Sequence, residues 1–203
     1  MGFTVLFVCT GNICRSPIAE LLLTRDLPGV PGVRILSAGT SALVGYGVPS
    51  TARRLAAEHN IDATEHVSRQ IDIEIVRGAD LILTMARDHR GYVIDMAPAK
   101  MRRTFTLREF ARITDVAEPM LAEAIKTAGA TTPTDALRVG VELATSTRAM
   151  TPRPHKLDEL DIVDPYRRDD GVYRRAFDEL VPAAERVSRY LMHSIRSVNP
   201  KET

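Results

Sequence analysis

The 203-residue sequence predicts an α/β fold built on a parallel sheet, and three observations carry that prediction. Short β-prone runs alternate with helical periods of ten or more residues, which calls for crossovers between parallel strands. The first run, Phe3-Thr4-Val5-Leu6-Phe7-Val8, is apolar almost throughout, as a buried strand is. That strand passes through a Gly-containing loop into a helix start at Ser16-Pro17, with a capping residue and Pro at the first helical position.

In chain order, strands are expected at 4–8, 33–37 and 80–84, with a weaker one at 103–106. Helices are expected at 16–25, 50–59, 87–95 and 174–196. The stretch 107–160 has a different texture. It is rich in Ala and Thr and broken at Pro119, Pro133, Pro152 and Pro154, yet it is periodic enough for two helices. Leu121, Ala124, Ile125 and Ala128 share one face of the first, and Leu137, Val141 and Ala144 one face of the second. The reading is one domain over 1–203 with a helical insertion at 111–160, placed before the loop that carries Asp164. Because the insertion joins that loop through 157–160, it is expected to pack beside it as a lid.

Composition narrows the function. With 44% hydrophobic and 26% charged residues the chain is an ordinary globular one. A net charge of +1 provides no global field for a nucleic acid or a membrane surface, so neither is expected as a partner. Only 4 of its 27 basic residues are Lys, a bias toward the side chain suited to forked recognition of phosphate. No run reaches the ~20 apolar residues of a membrane helix, and the start lacks a basic leader, so a cytoplasmic location is expected. The two cysteines, Cys9 and Cys14, share one loop, which suits neither a disulfide scaffold nor a zinc site.

That loop, Cys9-Thr10-Gly11-Asn12-Ile13-Cys14-Arg15-Ser16, lies between a strand and a helix N-terminus, where α/β folds bind anions. Successive backbone N–H groups there can cradle three phosphoryl oxygens, and Arg15 can add a bidentate fork. Cys9 would sit at the base of a positive cup that favours thiolate over thiol, with the Ser16 hydroxyl donating to the sulfur. Cys-x5-Arg alone arises by chance about one time in nine at this Arg content, so the strand, the Gly and the Ser-Pro helix start carry the weight.

With these residues the sequence resembles the low-molecular-weight protein tyrosine phosphatases, whose signature is Cys-x5-Arg-Ser/Thr near the N-terminus. Further matching segments are Ser37-Ala38-Gly39-Thr40, His66-Val67-Ser68-Arg69, Asp80-Leu81-Ile82-Leu83-Thr84-Met85 and Asp164-Pro165-Tyr166, so the likeness covers about 3–110 and 160–196. It implies a four-stranded parallel sheet flanked by helices. It also implies cofactor-free, metal-free hydrolysis of phosphotyrosine in proteins through a phosphocysteine. Carried over residue by residue, Cys9 is the nucleophile, Arg15 the phosphoryl clamp and Asp164 the general acid. The Asp164 role has chemical support of its own, since a departing phenolate needs a proton; an ordinary Asx-turn before Pro is the plain alternative. Thr10, Gly11, Asn12, Ile13, Cys14 and Ser16 would form the phosphate-binding loop, with Asn12 bracing it. Cys14 is either a small residue lining the loop or, as the resemblance favours, a thiol that would trap an oxidised Cys9 as a disulfide.

Two departures concern the pocket. Where the family has an aromatic residue after Ser-Ala-Gly-Thr this chain has Leu43, and Tyr46 is expected to replace that wall; Tyr166 is also expected to bind substrate. Arg167 and Arg168 would make the rim basic, or are simply a solvated face. Of the histidines, His66 is read as structural, and His59, His89, His155 and His193 as surface residues. Two rival readings use the same loop. A thioredoxin-coupled arsenate reductase needs relay cysteines, and the stretch 81–92 has none. A non-catalytic phosphoprotein-binding module would be expected to lack Cys9, Arg15 or Asp164.

Overall fold

The computed structural model describes residues 2–198. Strands β1 (Phe3–Cys9), β2 (Val33–Gly39), β3 (Leu81–Thr84) and β4 (Thr104–Thr106) form a sheet in the order β2-β1-β3-β4, every neighbouring pair parallel. The helices are α1 (Arg15–Asp26), α2 (Ser50–Glu58), α3 (Ile73–Gly78), α4 (Arg87–Met96), α5 (Leu107–Ala117), α6 (Leu121–Thr127), α7 (Pro133–Thr147) and α8 (Asp170–Arg196).

All seven residues of β1 are buried, and their alternation divides the core in two. Phe3, Val5, Phe7 and Cys9 belong to one apolar cluster with α1, α2, α5, α6, α7 and α8; Leu6 and Val8 belong to a smaller one with α3 and α4. Cys9 thus ends the central strand on the more heavily covered face, at the carboxyl edge of the sheet.

Three local readings change in the structure. Helix α1 begins at Arg15 with Cys14 at the cap position, so Ser16 lies inside the helix and does not cap it. Its hydroxyl is drawn instead to the Cys9 sulfur and the Asn12 amide. Helix α5 lies in the stretch read as holding two helices, and it opens on a reciprocal cap between Thr106 and Glu109. Phe110, Ile113, Thr114 and Ala117 form its buried face, which packs on α8. Helix α8 starts at Asp170, four residues earlier than expected, with the Asp169 carboxylate accepting from the Val172 amide at 3.1 Å.

Helices α6 and α7 bury the faces read from the sequence at Leu121 and Ile125, and at Leu137, Val141 and Ala144; Ala128 falls beyond the end of α6 and is exposed. They do not form a lid beside Asp164. Helix α7 begins against the amino edge of the sheet, where Thr134 lies beside Gly32 and the Arg138 guanidinium donates to the Gly2 carbonyl, a strand's length from Cys9. Its middle lies against α8. Tyr190 donates to the Gly140 carbonyl at 2.8 Å, and a β-carbon on Gly140 would stand 2.7 Å from Ser194 Oγ, so a larger residue there would have to displace that hydroxyl. The apolar faces of α6 and α7 are satisfied by α5 and α8, which leaves nothing to draw them toward the mouth of the cavity.

Candidate active site

After Cys9 the chain leaves the sheet and turns back into α1. The turn requires a left-handed residue, Asn12 at φ 52°. Its side chain is fully buried and fully engaged: Nδ2 donates to Ser16 Oγ at 3.0 Å and Ser37 Oγ at 2.7 Å, and Oδ1 accepts from the Arg69 amide at 2.9 Å. His66 Nε2 lies 2.7 Å from the Asn12 carbonyl. Ser37 in turn donates to Glu20, whose carboxyl is pushed up by burial and pulled back by Ser37 and by Arg69. Asn12 is therefore held from four sides and shapes the loop without lining the cavity.

Gly39 sets the other wall. A β-carbon there would lie 2.5 Å from the Thr10 carbonyl, so its absence lets the segment after β2 close on the loop. Thr40, Ser41 and Leu43 donate backbone bonds to the carbonyls of Cys9, Thr10 and Gly11 at 2.9, 3.0 and 3.0 Å. The resulting cavity, about 100 Å³, is lined by Cys9, Thr10, Gly11, Ile13, Cys14, Arg15, Ser41, Leu43, Asp164 and Tyr166.

The Cys9 sulfur lies 2.9 Å from Ser16 Oγ and accepts from the Asn12 amide at 3.3 Å. Because Ser16 Oγ already accepts from Asn12 Nδ2, its own hydrogen is free for the sulfur. Arg15 is buried, with Nη1 donating to the Ile162 carbonyl at 3.1 Å and Nη2 paired to Asp164 Oδ2 at 2.6 Å. Its Nε is buried and without a partner, one donor of the fork that an anion in the cavity would take up.

Asp164 arrives on a segment tied to the carboxyl edge of β3. The Ile162 amide donates to the Met85 carbonyl at 2.8 Å, and Asp161 takes Arg87 through both carboxylate oxygens at 2.9–3.2 Å. Asp164 Oδ1 accepts from the Tyr166 amide at 3.1 Å, so the Asx-turn does form. Oδ2 pairs with Arg15 Nη2 at the cavity wall, and the side chain is 48% exposed. Neighbouring carboxylates are otherwise engaged: Asp161 by Arg87, Asp169 as the cap of α8, Asp170 by Arg54.

Of the residues expected at the site, Cys9, Thr10, Gly11, Ile13, Cys14, Arg15, Asp164 and Tyr166 meet at the cavity, while Asn12 and Ser16 stand behind it. Tyr46 does not reach it. That side chain is 68% exposed and is not among the lining residues, and Leu43, held by its bond to Gly11, forms the wall. Tyr166 carries Arg167 stacked on its ring at 5.1 Å. The Cys14 sulfur is 3.8 Å from Tyr173 Oη, and burial pushes its thiol up to about 12. Ser41 and His89 were not read as part of the site. Ser41 had no signal beyond its place after Ser37-Ala38-Gly39-Thr40. His89, expected at the surface, is buried with Nε2 2.8 Å from Thr10 Oγ1, and no local pattern announces it. Among the described residues no group of three His, Cys, Asp or Glu side chains is placed to hold a metal ion.

A family model described as low molecular weight phosphotyrosine protein phosphatase matches residues 4–131, from β1 through α6. The chain belongs to that family. Among curated members of this phosphatase family, the probable low molecular weight protein-tyrosine-phosphatase EpsP of Ralstonia nicotianae is 42% identical over 116 residues, 57% of this chain and 77% of the relative. Etp of Escherichia coli K12, a low molecular weight protein-tyrosine-phosphatase, is 38% identical over 116 residues, covering 57% and 76%. In structure, the tyrosine phosphatase Wzb of Escherichia coli K30, solved with sulphate, superposes with a TM-score of 0.64 at 27% identity, covering 94% of this chain and 99% of Wzb. The YwlE arginine phosphatase of Geobacillus stearothermophilus gives 0.65 at 28%, covering 94% of each. The family's parallel sheet flanked by helices is the fold described above. No helix among the described residues is long and apolar enough to cross a membrane.

Proposed function

We propose that this phosphatase hydrolyses phosphotyrosine in proteins, without metal or cofactor, through a phosphocysteine on Cys9. One observation carries the reading: the Cys9 sulfur, the unpartnered buried Nε of Arg15 and the Asp164 carboxylate converge on a single small cavity. The loop amides and the Arg15 fork would hold the phosphoryl oxygens, with Cys9 Sγ beneath the phosphorus. The thiolate attacks, the bond from phosphorus to the tyrosine oxygen breaks, and Asp164 gives its proton to that oxygen. Water then attacks the phosphocysteine while the Asp164 carboxylate takes its proton, releasing phosphate and restoring the thiolate. Two donors, Ser16 Oγ and the Asn12 amide, would stabilise the sulfur anion in both steps. The apolar wall of Leu43 and Ile13 with the Tyr166 ring suits an aryl leaving group, and the curated relatives above are named as tyrosine phosphatases.

Redox control belongs to the same proposal. Peroxide would oxidise the Cys9 thiolate to sulfenic acid, and the Cys14 thiol would condense with it, releasing water and forming a disulfide that a thiol reductant reopens. With its thiol pushed up, Cys14 is protonated and leaves attack on the phosphoryl group to Cys9; its proton departs with the sulfenic hydroxyl as water when the disulfide forms. A cytoplasmic location, which keeps both thiols reduced, completes the reading.

The test is turnover of a phosphotyrosine peptide with chelator present, beside a phosphoarginine peptide and thioredoxin-coupled arsenate reduction. The wild type is expected to turn over phosphotyrosine alone. Cys9→Ser is expected to lose turnover yet still bind vanadate, because the amides and Arg15 remain. Turnover by Cys9→Ser, or activity confined to either of the other substrates, refutes the assignment.

A further inference from the structure

His89 stands outside the machinery assigned above. It occupies the first turn of α4, is 7% exposed, and places Nε2 2.8 Å from Thr10 Oγ1. Its other ring nitrogen, Nδ1, is buried and without a partner. The charged groups facing it are Arg15 on α1, Asp164 and Asp161 on the acid-bearing segment, and Asp88 on its own helix. Burial and the Arg15 charge hold the ring neutral. A neutral imidazole has one donor and one acceptor nitrogen, and here only one of the two is used. Leaving a buried polar atom unpaired is costly, so packing alone would favour an apolar side chain. What the imidazole adds is its bond to Thr10.

Thr10 is the residue after Cys9, lines the cavity, and is exposed to solvent on one side. Its carbonyl is fixed by the Ser41 amide, and its side chain is held by His89. Ser41 and His89 thus grip the first residue of the loop from different elements. We propose that His89 is a positioning residue of the phosphate-binding loop: by holding Thr10 Oγ1 it sets the Thr10 backbone so that its amide faces the phosphoryl group. This rests on the phosphatase reading above, and the experiment separates the two.

Hydrolysis of p-nitrophenyl phosphate and its inhibition by inorganic phosphate are measured for wild type, His89→Ala, His89→Gln, Thr10→Val and the His89→Ala/Thr10→Val double variant. Temperature is set where every variant keeps its wild-type circular dichroism. His89→Ala is expected to lose about tenfold in kcat/KM and to weaken phosphate inhibition in parallel, the scale of one hydrogen bond. His89→Gln, whose amide reaches the Nε2 position, should recover most of that loss. The double variant should be no worse than Thr10→Val, since both changes break the same link. Additive losses, no rescue by Gln, or His89→Ala indistinguishable from wild type overturn the proposal. A wild type inert toward p-nitrophenyl phosphate overturns the phosphatase reading instead.

Discussion

The buried His89 makes stability depend on pH in a calculable way. In the unfolded chain an imidazole protonates near 6.5; in the fold, burial and the Arg15 charge push it down to about 4. Between those values the unfolded chain binds the proton and the native one does not, so the contribution is fully present above 6.5 and is lost as pH falls toward 4. At 1.36 kcal/mol per pH unit the gap amounts to about 3 kcal/mol. For a chain of this size that is a fall in Tm of about 6–12 °C. Glu20 works in the opposite direction, because its carboxyl is pushed up in the fold and favours the native state at low pH. Comparison with His89→Gln removes the Glu20 contribution, since the variant keeps Glu20 and loses the titrating ring. Guanidinium unfolding followed by circular dichroism, from pH 7 down to 4, should show wild type losing about 3 kcal/mol more than the variant. Parallel pH profiles for the two proteins would refute the reasoning: His89 would then be solvated, or already protonated in the native state.

Asp164→Asn should lower kcat on phosphotyrosine by about 10²–10⁴-fold and on p-nitrophenyl phosphate by less, because the better leaving group needs the proton less; equal losses would make Asp164 a turn residue only. Leu43→Ala should raise KM for aryl phosphates by about tenfold through lost contact with the ring, whereas Tyr46→Ala should change it by less than about twofold. The reverse order would place the aromatic wall at Tyr46 after all. Cys14→Ser should turn over substrate almost normally, yet recover poorly from peroxide when thiol is added, and equal recovery in both proteins would assign Cys14 to packing.

Much of this protein is legible in the chain because its information is local. The Cys9–Ser16 loop announces itself by its own residues: an apolar strand before it, Gly11 within it, Arg15 six positions after the cysteine. Three of the four strands are short and clearly patterned, the fourth more weakly, and the buried faces of α6 and α7 follow the helical period. Even α5 was legible in principle from Thr106 and Glu109, a cap that lies wholly within four residues. What local pattern could not decide is where distant segments meet. Tyr46 and Leu43 are three residues apart and chemically exchangeable as a wall, and the choice falls to a backbone bond from Leu43 to Gly11 across the Gly39 approach. The insertion's place shows only in the fold, where α7 begins at the amino edge of the sheet and packs its apolar face on α5 and α8. His89 reads as any surface histidine until the fold brings α4 against Thr10, 79 residues away in sequence. Sequence alone brings Cys9 and Arg15 together in one loop, where neighbours in the chain are neighbours in space. Tertiary structure alone decided the walls, the supports and the burial of His89, because burial and long-range bonds are properties of the packed chain and not of any stretch within it.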